Sequence, residues 1–166
     1  KMTNRVYFWG TNRKNGELSN FFISHFVDNK GIEYLCNEQY FMYKKCQLFD
    51  PDNTRLQNKI LSNTNPKEIK NFGRQVRYFD EKIWNKNKQI IMRAGLELKF
   101  YQNHVLAEKL LSTGDSILYE ASPYDKIWGI GLNEYDAKNT TDNLMPGQNL
   151  LGKLLMEIRD QMKNKF

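Results

Sequence analysis

The sequence predicts a mainly helical α+β fold, a single domain with a small β-sheet. Two long segments carry apolar residues at helical spacing, and several more open on helix-start signals. The apolar runs suited to strands are few and short. The 166 residues, 40% hydrophobic and 13% aromatic, suffice for one core. No repeat, low-complexity tract or Pro/Gly/Ser linker divides them, so residues 3–166 read as one domain.

Val6-Tyr7-Phe8-Trp9 reads as a short buried strand, and Gly10 to Gly16 as a polar loop. Phe21 to Val27 and Ile32 to Leu35 read as two strands joined by a turn at Asp28-Asn29-Lys30-Gly31. Asn37 is placed as an N-cap, with Glu38 and Gln39 in the first turn of a helix that runs to about Phe49, ahead of Pro51. Tyr40, Phe41 and Leu48 supply its buried side. A second helix covers Asn53 to Leu61, and Asn65-Pro66-Lys67-Glu68 starts a third, with Pro in the first turn. Ile83, Trp84, Ile90, Ile91, Ala94 and Leu98 recur at helical spacing and give a long helix to about Tyr101. Another helix spans His104 to Leu111, ended by Thr113-Gly114. Ser116 to Glu120 and Lys126 to Ile130 read as short strands. Leu150, Leu151, Leu154, Leu155, Ile158 and Met162 form the apolar stripe of a final helix.

The net charge is +6 and the pI about 9.2. Such a balance favours a phosphate-bearing partner, free or in nucleic acid; the competing reading is the solubility of a Lys/Asn-rich chain. No apolar run approaches the roughly 20 residues that span a bilayer, so no membrane association is expected. No secretory leader is expected either, and Lys1-Met2 reads as an added remnant. Cys36 and Cys46 read as free thiols of an intracellular, cytoplasmic protein. His25 and His104 are the only histidines, with no cysteine or histidine cluster at ligand spacing, so neither a metal nor a cofactor is expected.

Tyr119 to Gly131 is the densest chemical stretch. It places Glu120, Asp125, Trp128, Gly129 and Gly131 between apolar segments: an acid, a stacking surface and close backbone approach together. Gly147-Gln148-Asn149-Leu150-Leu151-Gly152-Lys153 has phosphate-loop spacing. Leu154, however, stands where Ser or Thr should hold magnesium, and no buried strand precedes it. The surviving reading is a helix N-terminus whose free amides receive a phosphate. On the helix from Asn37, Glu38 and Lys45 lie seven residues apart and share a face, about 10 Å apart at roughly 1.5 Å per residue. A ligand between them would meet both; the competing reading is two solvated charges.

These residues, taken together, resemble the NADAR superfamily, which includes the YbiA-like N-glycosidases of riboflavin intermediates. The matching pieces begin with Leu18-Ser19-Asn20-Phe21, Asn37-Glu38-Gln39-Tyr40-Phe41 with Lys45, and Gly73-Arg74. Trp84, Lys99-Phe100-Tyr101-Gln102 and Leu111-Ser112-Thr113-Gly114 follow. Glu120-Ala121-Ser122-Pro123 with Asp125 and Trp128-Gly129 come next, then Gly147 to Gly152 with Leu155-Met156 and Arg159. Met42-Tyr43-Lys44 departs from the residues more usual in bacterial members.

The resemblance implies hydrolysis of an N-glycosidic bond between ribose C1 and an exocyclic amine of a heterocycle. In one branch the substrate is ADP-ribose on guanine, in nucleic acid or nucleotide, with an ADP-ribosyltransferase toxin as a possible counterpart. In another it is a phosphoribosylamino-pyrimidine of riboflavin synthesis. The basic chain favours the first, and a non-catalytic ADP-ribose-binding module remains the alternative of another class. On this reading Glu38 is the general acid and water activator, and Asp125 stabilises a cationic sugar or orients a hydroxyl. Lys45 either pairs with an oxygen or forms a Schiff base, for which burial or a cation such as Lys44 or Arg74 must lower its pKa. Trp128 and Trp84 stack or close the pocket at Gly129, and Arg74 contacts phosphate. Asn20 and Asn149 bond the ligand or tie down loops. A monomer is expected.

Overall fold

A computed structural model describes residues 3–165; the reading of Lys1-Met2 lies outside them. Along the chain run β1 (Arg5–Phe8), β2 (Phe26–Val27), β3 (Glu33–Tyr34), α1 (Asn37–Phe49), α2 (Thr54–Ser62), α3 (Pro66–Gly73), α4 (Glu81–Gln102), α5 (His104–Ser112), β4 (Ile117–Glu120), α6 (Glu134–Lys138) and α7 (Leu150–Lys165). The fold is mainly helical α+β. Its strands form two two-stranded sheets, β1 with β4 and β2 with β3. The chain gathers into two compact units, Asn20–His104 and the described residues on either side of it. No helix among the described residues is long and apolar enough to cross a membrane.

In the Asn20–His104 unit, α1 is the central helix. Its residues from Asn37 to Tyr43 are all buried, as are Cys46 and Phe49. Buried nearly all round, it has no single apolar stripe, and α2, α3, α4 and β3 pack on it. Leu48 departs from the expected buried side and is 38% exposed. The helix begins one residue earlier than expected, with Cys36 at the N-cap; the Asn37 amide is buried and donates to Asn20 Oδ1 at 2.9 Å. The other starts follow local chemistry. Asn53 caps α2 by accepting from the Leu56 amide at 3.1 Å, and Asn65 caps α3 from Lys67 at 2.9 Å. Asp80 does the same for α4, so that helix opens slightly before its apolar stripe.

α4 approaches α1 closely at Gly95. A Cβ there would lie 1.9 Å from Asn37 Oδ1 and 2.7 Å from Tyr40 Cδ1. Gly95→Ala is therefore expected to destabilise the protein by about 1–3 kcal/mol through overpacking, despite alanine's better helix propensity. Thermal unfolding checks this; an unchanged or raised midpoint would show that the two helices can part without cost.

The expected strand Phe21 to Val27 shrinks to two residues. His25 takes a left-handed φ of 33°, which breaks the extended run before Phe26. Asp28 shapes the turn, its Oδ1 accepting from the amides of Lys30 and Ile32 and its Oδ2 from the Tyr34 hydroxyl. The Gln102 side chain then pairs with both backbone groups of Val27, at 2.9 and 2.7 Å, as a strand would.

In the other unit β1 and β4 are parallel, with Arg5 opposite Ile117 and Phe8 opposite Glu120. Tyr7 and Tyr119 stack across the pair at 5.9 Å between ring centroids. α7 packs on β4 through the predicted stripe, and all six of its apolar residues are buried. The expected strand Lys126 to Ile130 is absent: these residues form a succession of bends. Their carbonyls accept from the amides of residues 147–151 out of ladder order, Ile130 from Gly147 and Trp128 from Leu151. α6, opened by Asn133 accepting from Asp136, was not anticipated; at five residues it offers no periodicity to read.

Candidate active site

Glu38 stands in the first turn of α1, where the helix field favours a negative charge. Its position is set by neighbours that the sequence marks only as polar. The Asn20 carbonyl accepts from the Glu38 amide at 3.0 Å. The side-chain amides of Asn20 and Asn37 both donate to Met92 Sδ of α4, at 3.3 and 3.2 Å. Asn20 thus ties the segment before β2 to the start of α1, and Glu38, 6% exposed, is nearly enclosed.

Two turns along α1, Lys45 lies under an aromatic wall. Its Nζ is 5.1 Å from the Phe79 ring centroid and 5.8 Å from that of Trp84. Phe41 and Phe49 complete the wall, with centroids 5.0 and 6.0 Å from Trp84. Nζ donates to the Gly73 carbonyl at 2.9 Å, in the last turn of α3. Burial among these rings pushes the Lys45 pKa below the ordinary lysine value of 10.5; Glu38 pulls it up, and Arg74 pushes it down again. Glu38, two turns back on the same helix, is thus the carboxylate that favours the charged form of Lys45. Of the two cations named from the sequence, Arg74 is the one that acts. Lys44 lies instead over the Tyr40 ring at 5.5 Å. Arg74 itself is exposed, with Nη1 bonded to Asn71 Oδ1.

Cys36 and Cys46 are buried and free. Burial pushes both thiols up, each to about 11, so neither offers a thiolate nucleophile near neutral pH. Among the described residues, no group of three or more His, Cys, Asp and Glu side chains lies together as a metal site.

The structure gathers Asp125, Trp128, Gly129 and Asn149 in the other unit. Asp125 Oδ1 accepts from the amides of Ile127 at 2.9 Å and Trp128 at 2.8 Å, holding the bends in shape. At Gly129 a Cβ would lie 2.9 Å from the carbonyls of both Asp125 and Glu120. The close approach expected here is therefore to the chain's own backbone. Asn149, at a left-handed φ of 54°, spends both ends of its amide on β4: Oδ1 accepts from Glu120 N, and Nδ2 donates to Leu118 O. Its observed role is to tie down the turn.

The free-amide reading of Gly147 to Gly152 is overturned. The amides of Gly147, Gln148, Asn149, Leu150 and Leu151 all donate to carbonyls of residues 126–130. That helix start spends five of its six amides on the loop beside it, and the sixth belongs to Gly152, buried against Leu118 and the Asn149 side chain, so no open cradle of donors is left for a phosphate.

Sequence reasoning passed over Lys99, which is completely buried on α4. Its signal was its position, four residues after Gly95 and seven after Met92, on the face that packs inward.

The chain is 41% identical to an N-glycosidase of Acanthamoeba polyphaga mimivirus, over 94% of this chain and 95% of that protein. It is 28% identical to a riboflavin biosynthesis protein of Vibrio vulnificus, over 98% of this chain and 40% of that protein. The NMR structure of Escherichia coli YbiA superposes with a TM-score of 0.79 at 27% identity, covering 99% of this chain and 88% of YbiA. The family model of the NADAR domain matches residues 7–163. With nearly its whole length matched, this chain belongs to the NADAR domain family.

Proposed function

We propose that this protein is an N-glycosidase that hydrolyses the bond between ribose C1 and an exocyclic amine of a heterocycle, with ADP-ribosylated guanine of nucleic acid or nucleotide as its substrate. The observation that carries this reading is the packing of Lys45, on the helix that bears Glu38, against the rings of Phe79 and Trp84, where burial pushes its pKa down. A solvated charge pair would not show that depression. A binding module would have no use for a neutral amine beside a carboxylate.

The chemistry follows from the leaving group. An exocyclic amine departs poorly unless it is protonated or its ring absorbs the charge. Proton donation from Glu38 to the ribose ring oxygen opens the sugar and leaves a C1–N double bond to the base. Neutral Lys45 adds to C1, the base departs with its amine restored, and a Schiff base joins Lys45 to the sugar. Glu38, now a carboxylate, takes a proton from water as that water adds to C1. The lysine is released, and the sugar closes to its hemiacetal. Trp84 and Phe79 keep Lys45 in the apolar surroundings that this route needs. Arg74, exposed just after α3, is proposed to meet a phosphate, and its charge disfavours the ammonium form of Lys45.

Asp125 is proposed to stabilise the cationic sugar and Trp128 to stack on the base. Oδ1 of Asp125 is committed to the loop amides, which assigns the sugar to Oδ2. Asp125→Asn keeps the Oδ1 acceptor, so the fold is expected to survive while turnover falls by about tenfold or more. Unchanged turnover would leave Asp125 a loop residue.

A second substrate is favoured by one observation, the Vibrio relative named a riboflavin biosynthesis protein; the substrate proposed on that ground is a phosphoribosylamino-pyrimidine. Both substrates present the same C1–amine bond. Against it stands the net charge of +6, which suits a polyanion. Steady-state assays on the two substrates in parallel decide. The proposal expects kcat/KM for the guanine-ADP-ribosylated oligonucleotide to exceed that for the pyrimidine; the reverse order would reassign the substrate and keep the reaction.

A further inference from the structure

A bulky side chain strains the left-handed backbone region, where glycine sits freely. Tyr78 occupies that region, with φ 62°, in the connection between α3 and α4. Packing does not account for a tyrosine there, because Tyr78 is 74% exposed. Strained backbone that carries an exposed aromatic ring is the kind of outlier that clusters at ligand sites.

The residues on both sides hold it in place. Arg77, just before it, is anchored on the buried Asp50 carboxylate. The Arg77 amide donates to Asp50 Oδ2 at 3.2 Å, Nε to Oδ2 at 3.3 Å and Nη2 to Oδ1 at 3.3 Å. A guanidinium held at two points has a fixed plane. Its Cζ lies 5.5 Å from the Tyr78 ring centroid. Phe79, just after, packs with its centroid 5.2 Å from that of Phe49 and 6.5 Å from that of Trp84. The same ring lies against the Lys45 amine. Tyr78 therefore stands one residue outside the wall around Lys45, backed by a cation and open to solvent.

An ordered aromatic ring of this kind suits the face of a nucleobase. A guanine whose amino group must reach Lys45 has to leave its stack, and its neighbour in the strand then loses a stacking partner. We propose that Tyr78 stacks on the base that flanks the modified guanine in a single strand, and so selects guanine within a nucleic acid over the free nucleotide. This role rests on the nucleic-acid substrate of the proposed function. Arg74, the cation assigned there to a phosphate, lies exposed on the same connection.

The test compares kcat/KM on a guanine-ADP-ribosylated single-stranded oligonucleotide with kcat/KM on the ADP-ribosylated guanine mononucleotide. Native protein should favour the oligonucleotide. Tyr78→Ala is expected to cut that preference by about tenfold or more, whereas Tyr78→Phe, which keeps the ring, should retain it. Native protein without a preference, or a Tyr78→Ala loss equal on both substrates, would overturn the assignment. With abasic sites on both sides of the modified guanine, native protein and Tyr78→Ala should act alike, because the stacked base is already gone. A difference that survives removal of those bases contradicts stacking. Fluorescence anisotropy on an unmodified single-stranded oligonucleotide reads the platform without the reaction. Tyr78→Ala should bind it about tenfold or more weaker than native protein. If that holds and native protein turns over neither modified substrate, the glycosidase reading fails and the platform stands. Equal affinities sink the platform and leave the glycosidase reading untouched.

Discussion

Glu38→Gln is expected to slow turnover by about 100-fold or more while leaving the protein folded. Glutamine has nearly the same shape, so the first turn of α1 and its contacts with Asn20 and Asn37 persist. The backbone bond from the residue 38 amide to the Asn20 carbonyl does not depend on the side chain. What is lost is the group that gives a proton to the sugar and later takes one from water. A factor of 100 is about 2.7 kcal/mol of barrier, within the ordinary range for one positioned acid–base group. Turnover unchanged in Glu38→Gln, with a weakened KM, would reassign Glu38 to binding.

Lys45→Ala should be as severe, by about 100-fold or more, and should abolish a covalent adduct. Borohydride added during turnover reduces a Schiff base and fixes the sugar to the protein. Intact mass and peptide mapping are expected to place the adduct on Lys45. Absence of any adduct, together with full activity in Lys45→Ala, would remove the covalent role and return Lys45 to pairing with a sugar or phosphate oxygen. The pH dependence has a definite sign. Lys45 attacks only as the free amine, so this step accelerates as pH rises through the Lys45 pKa, which burial holds below 10.5. The same depression means that the folded state binds its proton less tightly than the unfolded one. This lysine therefore opposes folding when pH lies below its folded-state pKa, and the opposition fades as pH rises through it. Lys45→Met, which keeps the alkyl packing, should lose activity without a fall in thermal stability beyond its bond to the Gly73 carbonyl.

The helices were the legible part, because their signals are local. Asn53, Asn65 and Pro66 declare helix starts within a few residues, and the structure uses each as expected. The stripe from Leu150 to Met162 declares one packed face. The Lys126–Ile130 loop was not legible, since its shape comes from amides some twenty residues away that alternation cannot report. Nor could the sequence say that those same amides would be consumed by the loop, which removed the phosphate reading of Gly147 to Gly152. Within the candidate site, helical spacing put Glu38 and Lys45 on one face of α1. It could not show which cation tunes Lys45, because Lys44 and Arg74 differ only in where the fold puts them. Lys99 was quoted as part of a motif and its burial overlooked. A lysine on an apolar face becomes informative only once its burial is known.

The most direct test of the account is the mass of a guanine-ADP-ribosylated oligonucleotide after incubation with the native protein. The account predicts return to the unmodified mass, with ADP-ribose released and the guanine amino group restored. An oligonucleotide that keeps its full modification, or that retains ribose phosphate after cleavage at the pyrophosphate, would contradict cleavage at C1.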